Sequence, residues 1–307
     1  MKKVTASAPA KVNLIFEVGP LKDNGFHDVN SLFLALNLRE EITISEALPG
    51  TGISIYVSGE NLPARHISAT PTDSSNLVAK VAVLLSSKLG IEVPDIQIDI
   101  LKRIPVAGGM AGGSADAAAM LVAFNEYAHQ NLNTKKLELA ELLSLASELG
   151  ADIPFSVLGG LAIGVGRGDE LTPVAELPFE THWVLAISQE GLSTPSVYAK
   201  YDQLGQHSEF SDFGKKLEGV QEAKGLAGIL SNDLQAPALE LLPQLDSLIS
   251  KIEDLGALRA IVSGSGPTIA ALCESKAQAQ EIAKTLGEQG IFALTASSPA
   301  LGANLEA

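Results

Sequence analysis

Residues 104–127 read Ile-Pro-Val-Ala-Gly-Gly-Met-Ala-Gly-Gly-Ser-Ala-Asp-Ala-Ala-Ala-Met-Leu-Val-Ala-Phe-Asn-Glu-Tyr. Four glycines, a serine and a preceding Lys102-Arg103 pair are more than a tight turn requires. Glycines let the backbone take φ > 0 and present bare N–H groups. A helix that begins there adds its unpaired first-turn N–H groups and the positive end of its dipole. An anion fits such a place, above all a phosphate. Neither the G-x-G-x-x-G fingerprint nor a Gly-Lys-Ser/Thr closure is present in this loop, so the two best-known phosphate motifs are excluded.

Other residues with chemical reach lie far from this loop in sequence. Lys11 and Asn13 stand two apart in Pro9-Ala10-Lys11-Val12-Asn13-Leu14, which puts them on one face of a strand. An exposed edge-strand face is the plainer explanation of that pair. His27 follows Phe26 directly after the turn Lys22-Asp23-Asn24-Gly25. Asp152 sits two residues before Pro154 at a helix boundary, where aspartate is a favoured N-cap and proline a favoured early residue. Ser263-Gly264-Ser265-Gly266-Pro267-Thr268 joins two apolar runs. It reads as a hairpin turn that could also bring N–H groups to the same phosphates.

These residues need elements to hold them. Ile96, Ile98 and Ile100 alternate with Gln97 and Asp99, a half-buried strand before the glycine loop. Met120, Phe124 and Tyr127 recur at helical spacing after it. Residues 4–18 predict two short strands around Pro9. Further strands are expected at 32–38, 41–44, 53–57, 183–187, 258–262 and 269–273, with 62–72 a polar connection. Helices are expected from Ser74-Ser75-Asn76 to a Gly90 cap, over 135–149 with a Gly150 cap, from Ser193, from Asn232, over 248–255 and over 276–290. The last residues, 297–307, read as a flexible tail.

The 307 residues are 46% hydrophobic, enough for two domains with cores of their own. A net charge of −15 argues against nucleic acid as a partner. It also means that any polyanion must be held by local donors and a divalent cation. No apolar run approaches a membrane span, and the start Met1-Lys2-Lys3-Val4 lacks a signal-peptide core. The one cysteine, Cys273, lies in an apolar run and reads as a buried small hydrophobe. A cytoplasmic protein is expected, monomer or homodimer, with no nucleic-acid or membrane partner.

Three motifs in this order, 9–14, 105–118 and 263–268, resemble the three signatures of the GHMP small-molecule kinases. Gly25-Phe26-His27, Leu149-Gly150-Ala151-Asp152-Ile153-Pro154, Ser193-Thr194-Pro195 and Asn232-Asp233-Leu234 narrow the likeness to members acting on a cytidine diphosphate-linked polyol. The resemblance covers nearly the whole chain. It implies a mixed α/β (α+β) fold of two domains. An N-terminal domain like ribosomal S5 domain 2 would span 1–168, and a ferredoxin-like C-terminal domain 169–296, before the 297–307 tail. ATP, with Mg2+, and the cytidyl substrate would meet between them. Asp152 would match the catalytic base and Lys11 its partner; a base must take the proton of the attacking alcohol, and a nearby ammonium orients a carboxylate. ATP would contact Asn76, Lys102, Pro105, Val106, Ala107, Gly108, Gly109, Met110, Ala111, Gly112, Gly113, Ser114 and Ala115, with Asn76 and Lys102 near the adenine. Asn13, Phe26, His27, Thr194 and Tyr198 would match substrate positions. Phe26 departs from the family pattern, where tyrosine is usual: a stacked ring survives, a hydroxyl hydrogen bond does not. The rivals are a GHMP kinase for mevalonate or homoserine, and a nucleotide-binding protein without catalysis. The aromatic set opposes the first, and the pairing of Lys11 with Asp152 the second.

Overall fold

Strand β1 (Val4–Leu21) pairs antiparallel with β2 (His27–Glu46), the central strand of the N-terminal sheet, along most of its length. The computed structural model describes residues 2–106, 108–205 and 207–306. Pro9 does not split β1: the register with β2 shifts between Pro9 and Ala10, and this irregularity absorbs the missing N–H. The strand pieces expected at 32–38 and 41–44 are likewise one strand. The chain continues through β3 (Ile53–Gly59), α1 (Ala64–Ser68), α2 (Leu77–Leu89), β4 (Ile96–Lys102), α3 (Gly112–Leu132), α4 (Leu139–Leu149), α5 (Ile153–Leu158), β5 (Leu161–Gly166) and β6 (Glu170–Pro173). Then come β7 (Thr181–Ala186), α6 (Thr194–Leu204), α7 (Phe213–Leu217), α8 (Ala223–Ala227), β8 (Ser231–Asn232), α9 (Gln235–Leu241) and α10 (Gln244–Asp254). The chain closes with β9 (Arg259–Val262), β10 (Ile269–Cys273), α11 (Lys276–Glu288), β11 (Ala293–Ser298) and β12 (Asn304–Leu305).

The first sheet has the order β12-β1-β2-β4-β3, with β5 on β2, β6 on β5 and β8 on β1. Its core follows period two: Ala8, Ala10, Val12 and Leu14 of β1 join Ile96, Ile98 and Ile100 of β4 beneath α2 and α3. Ala115 and Ala117–Ala119 are fully buried, and their small side chains let α3 lie close to the sheet. Asn76 N-caps α2 by accepting from Val78 N, and Gly90 ends it in the left-handed region at φ 69°. The second sheet, β11-β7-β10-β9, is antiparallel throughout. Alternation sends Trp183 and Leu185 of β7 to the large core and Val184 and Ala186 to the core under α9, α10 and α11. Cys273 is buried in that second core, and burial pushes its thiol up to about 12. Among the described residues no helix is long and apolar enough to cross a membrane.

Two expectations about organisation need correcting. A boundary at 168 falls inside the β5–β6 hairpin, which stays with the first sheet through Pro173; β8 and β12 also return to that sheet from the C-terminal part. The tail is not loose. Ala303 N donates to the carbonyls of Ser156 and Val157, and β12 pairs with β1. The Arg39 guanidinium donates to the carbonyl oxygens of Leu301 (2.6 Å) and Gly302 (2.8 Å). Little in 297–307 announces this, because backbone groups and the distant polar side chains of Arg39, Asn37 and Ser7 do most of the holding.

Candidate active site

With Ala10, Val12 and Leu14 turned to the core, Lys11 and Asn13 face the other way, toward the second sheet. Lys11 Nζ donates to Asn13 Oδ1 at 2.7 Å, and Asn13 Nδ2 to Ser31 Oγ at 2.7 Å. All three side chains are buried. The ammonium lies 5.4 Å from the centroid of Phe33, whose ring stacks on Phe155. Burial pulls the Lys11 ammonium below its ordinary pKa, and the nearby Asp152 offsets part of that.

Asp152 occupies the N-cap position of α5, yet its side chain makes no capping hydrogen bond. Its backbone carbonyl accepts from Ser156 N at 3.2 Å, so the main chain alone ties it to the helix. The carboxylate is therefore free to point elsewhere. Its Oδ2 lies 3.9 Å from Lys11 Nζ, and the side chain is 39% exposed, open to a ligand.

The glycine loop reaches the same place. Gly109 takes φ 73° and Ala111 φ 61°; the alanine bears a strain that glycine would not. A Cβ on Gly109 would lie 2.1 Å from Ser263 O, and one on Gly108 2.8 Å from Thr268 Oγ1. Bare backbone is thus what lets the two glycine turns touch. Ser263 Oγ donates to Gly109 O at 3.1 Å, and Lys11 N to Met110 O at 3.3 Å. A Cβ on Gly264 would lie 3.5 Å from Lys11 Nζ. Helix α3 starts at Gly112 with no side-chain cap, so its first N–H groups remain open to a ligand. Gly112 itself is not in the left-handed region; a side chain there would press on Ile104, 3.2 Å from its Cβ.

These pieces enclose a cavity of about 490 Å³ whose wall includes Lys11, Asn13, Gly108, Gly109, Ala111, Gly112, Gly113, Ser114, Asp152, Thr194 and Tyr198. Thr194, opening α6, hydrogen-bonds Ser265 at 2.8 Å. Burial, with Asp152 and Tyr201 adding to it, raises the Tyr198 hydroxyl, which therefore stays a hydrogen-bond donor.

Other expected residues lie outside that wall. Pro105, Met110 and Ala115 are buried under the loop and Val106 flanks it; Ala107 lies outside the described residues. Lys102 is 1% exposed and sits 2.6 Å from both Glu40 and Asp116. It braces the loop from below and does not face an adenine, because the buried carboxyl groups of Glu40 and Asp116 claim its ammonium. Asn76 spends its side chain on the α2 cap and on Pro71 O, 2.6 Å away. His27 Nδ1 meets Gly19 O at 2.8 Å, and its ring lies 5.2 Å from that of Tyr198. Phe26 is 63% exposed on the turn beside it. Arg167 lines the cavity and was missed; its one sequence signal is a cation between two glycines, Gly166-Arg167-Gly168.

The profile of the GHMP kinases N terminal domain matches residues 76–160, and that of the GHMP kinases C terminal domain residues 216–291. The 4-diphosphocytidyl-2-C-methyl-D-erythritol kinase of Nocardia farcinica is 44% identical, over 98% of this chain and 96% of its own length. The enzyme of that name from Leifsonia xyli is 41% identical, over 99% of both. A crystal structure of 4-(cytidine 5'-diphospho)-2C-methyl-D-erythritol kinase superposes with a TM-score of 0.77 at 28% identity, covering 95% of this chain and 98% of that one. A homoserine kinase from Cytophaga hutchinsonii shares the fold at 21% identity and a TM-score of 0.71, over 100% of this chain and 98% of its own. The chain belongs to the GHMP kinases, and within them to the 4-diphosphocytidyl-2-C-methyl-D-erythritol kinases.

Proposed function

We propose that this kinase transfers the γ-phosphoryl group of ATP to the 2-hydroxyl of 4-diphosphocytidyl-2-C-methyl-D-erythritol, in the non-mevalonate supply of isoprenoid precursors and in the cytoplasm. The observation that carries the reading is the meeting of Asp152 and Lys11, 3.9 Å apart, with the open N-terminus of α3 in one cavity. The loop and α3 N–H groups would hold the ATP phosphates. The substrate hydroxyl would attack the γ-phosphorus; a new O–P bond forms, the bond to the bridging oxygen breaks, ADP leaves and the hydroxyl proton passes to Asp152. Lys11, fixed by Asn13, would orient that carboxylate. His27, Tyr198 and Phe26 would receive the cytosine.

Ser114 and Asp152 line the same cavity and present the hydroxyl and carboxylate oxygens that Mg2+ accepts. The residues therefore fit a Mg2+ held mainly by nucleotide phosphates, with one or two protein oxygens. When bound, it would neutralise charge on the phosphates. Purified protein is expected to consume ATP with the cytidyl substrate and yield its 2-phosphate by 31P NMR. Inactivity on that substrate, beside turnover of mevalonate or homoserine, would overturn the assignment.

A further inference from the structure

Two polyanions must enter one cavity of a protein with net charge −15. The glycine loop and α3 serve one of them. Among the residues lining the cavity, the cations are Lys11 and Arg167. Lys11 is engaged by Asn13 and Asp152. We propose that Arg167 binds the diphosphate of the cytidyl substrate, forming a second anion site separate from the glycine loop. This inference rests on the substrate reading above.

The position along β2 supports it. Gly166 pairs with Val29 across β5 and β2, and the α-carbon of Gly168 packs on Val29 and Phe33, where a Cβ would lie 3.5 and 3.6 Å from their side chains. Gly166 (φ 67°) and Gly168 (φ 96°) fix the turn that presents Arg167. His27, Val29 and Phe33 follow one another along β2. With a rise of about 3.4 Å per residue, Val29 lies about 7 Å from His27 and about 14 Å from Phe33. His27 marks the aromatic end, and Phe33 the end where Lys11 and Asp152 stand. The substrate has the same order: base, diphosphate, polyol. A diphosphate between the two ends falls beside the Arg167 turn.

The guanidinium is already oriented. Its Nη2 donates to Ser147 O at 3.0 Å, near the C-terminus of α4, and pairs with Asp169. Among the described residues Nε and Nη1 make no hydrogen bond, and the side chain is 56% exposed. A planar fork with free donors suits phosphate oxygens. A brace between the β5–β6 turn and α4 would use the Nη2 contacts alone.

Calorimetry with cytidine, CMP, CDP and a non-hydrolysable ATP analogue separates these roles. Wild type is expected to bind CDP more tightly than cytidine. Arg167→Gln should lose about tenfold or more in CDP affinity, with cytidine and the ATP analogue unchanged. Arg167→Lys, keeping charge without the fork, should fall between. An intact CDP preference in Arg167→Gln overturns this inference alone. Equal losses for cytidine and CDP overturn it in favour of the brace, and a loss confined to the ATP analogue reassigns Arg167 to the nucleotide. A wild type that binds neither CDP nor cytidine overturns the substrate reading and this inference with it.

Discussion

A Cβ on Gly302 would lie 2.1 Å from the carbonyl oxygen of Val157. Backbone meets backbone there, and Ala303 N donates to Ser156 O at 3.0 Å beside it. The C-terminal segment thus buttresses α5, and α5 begins at Asp152. Gly302→Val should cost about 1–3 kcal/mol of stability through overpacking and lower kcat, with the KM for ATP near wild type. Urea unfolding and steady-state kinetics on one preparation check this. Lost stability with an unchanged kcat would show that the segment holds the fold but not the carboxylate.

Beneath the glycine loop, Glu40 and Asp116 share Lys102, and Glu40 also accepts from Arg103 N and Ile104 N. Burial first, then the charge of Asp116, pushes the Glu40 carboxyl from 4.5 up to about 8; burial likewise raises Asp116. Burial would lower Lys102, but Asp116 and Glu40 outweigh it and leave its pKa raised. Between pH 4.5 and about 8 the folded protein therefore holds a proton on Glu40 that the unfolded chain has released. Stability should fall as pH rises through that window, by up to about 1.4 kcal/mol per unit. Glu40→Gln should flatten the decline, as denaturation at pH 5.5, 7 and 8.5 would reveal (roughly spanning the window set by the linkage relation). Identical pH slopes for mutant and wild type would remove Glu40 as the source.

Much of the site was legible because its signals are local. Period two put Lys11 and Asn13 on one face, and the glycines of 108–113 announced a loop that opens a helix, which the structure sets in the cavity wall. The capping signal at Asp152 was real in position, while its side chain makes no capping bond and stands beside Lys11. What stayed hidden depends on distant partners. Lys102 looks like a ligand until Glu40 and Asp116, far off in the chain, are seen to enclose it. Asn76 reads as an adenine contact or as a cap, and only the backbone shows the cap. The tail has no apolar pattern, and Arg39 holds it by carbonyls. Among the described residues, Gly109 alone of the four loop glycines takes φ > 0, and Ala111, which no glycine signal marks, takes it as well.

Gly109→Val should weaken ATP binding far more than binding of the cytidyl ligand. Its Cβ would collide with Ser263 O, and valine resists the φ of 73° found there. Calorimetry on folded mutant protein should register the split. Unchanged ATP affinity would detach the loop from the nucleotide.

Phe26→Leu should raise the KM for the cytidyl substrate about tenfold or more, since base–aromatic stacking contributes roughly 1–3 kcal/mol. The 63% exposure of Phe26 means that little packing is lost with its ring. The KM for ATP should hardly move. A parallel rise in both KM values would assign Phe26 to the fold.

Asp152→Asn is the most direct test of the chemistry proposed. Asparagine keeps the size of aspartate and its tolerance for an N-cap position, and no capping bond is at stake. It cannot accept the alcohol's proton. Loss of a general base lowers turnover by about 100- to 10,000-fold, at the low end if the transition state is loose. The measurement is kcat of Asp152→Asn with both substrates saturating, alongside calorimetric binding of each ligand and a thermal melt. The account predicts a kcat loss of about 100-fold or more with both ligands still bound and the melting temperature little changed. A kcat within about threefold of wild type would contradict it and leave Asp152 as a helix-start residue only.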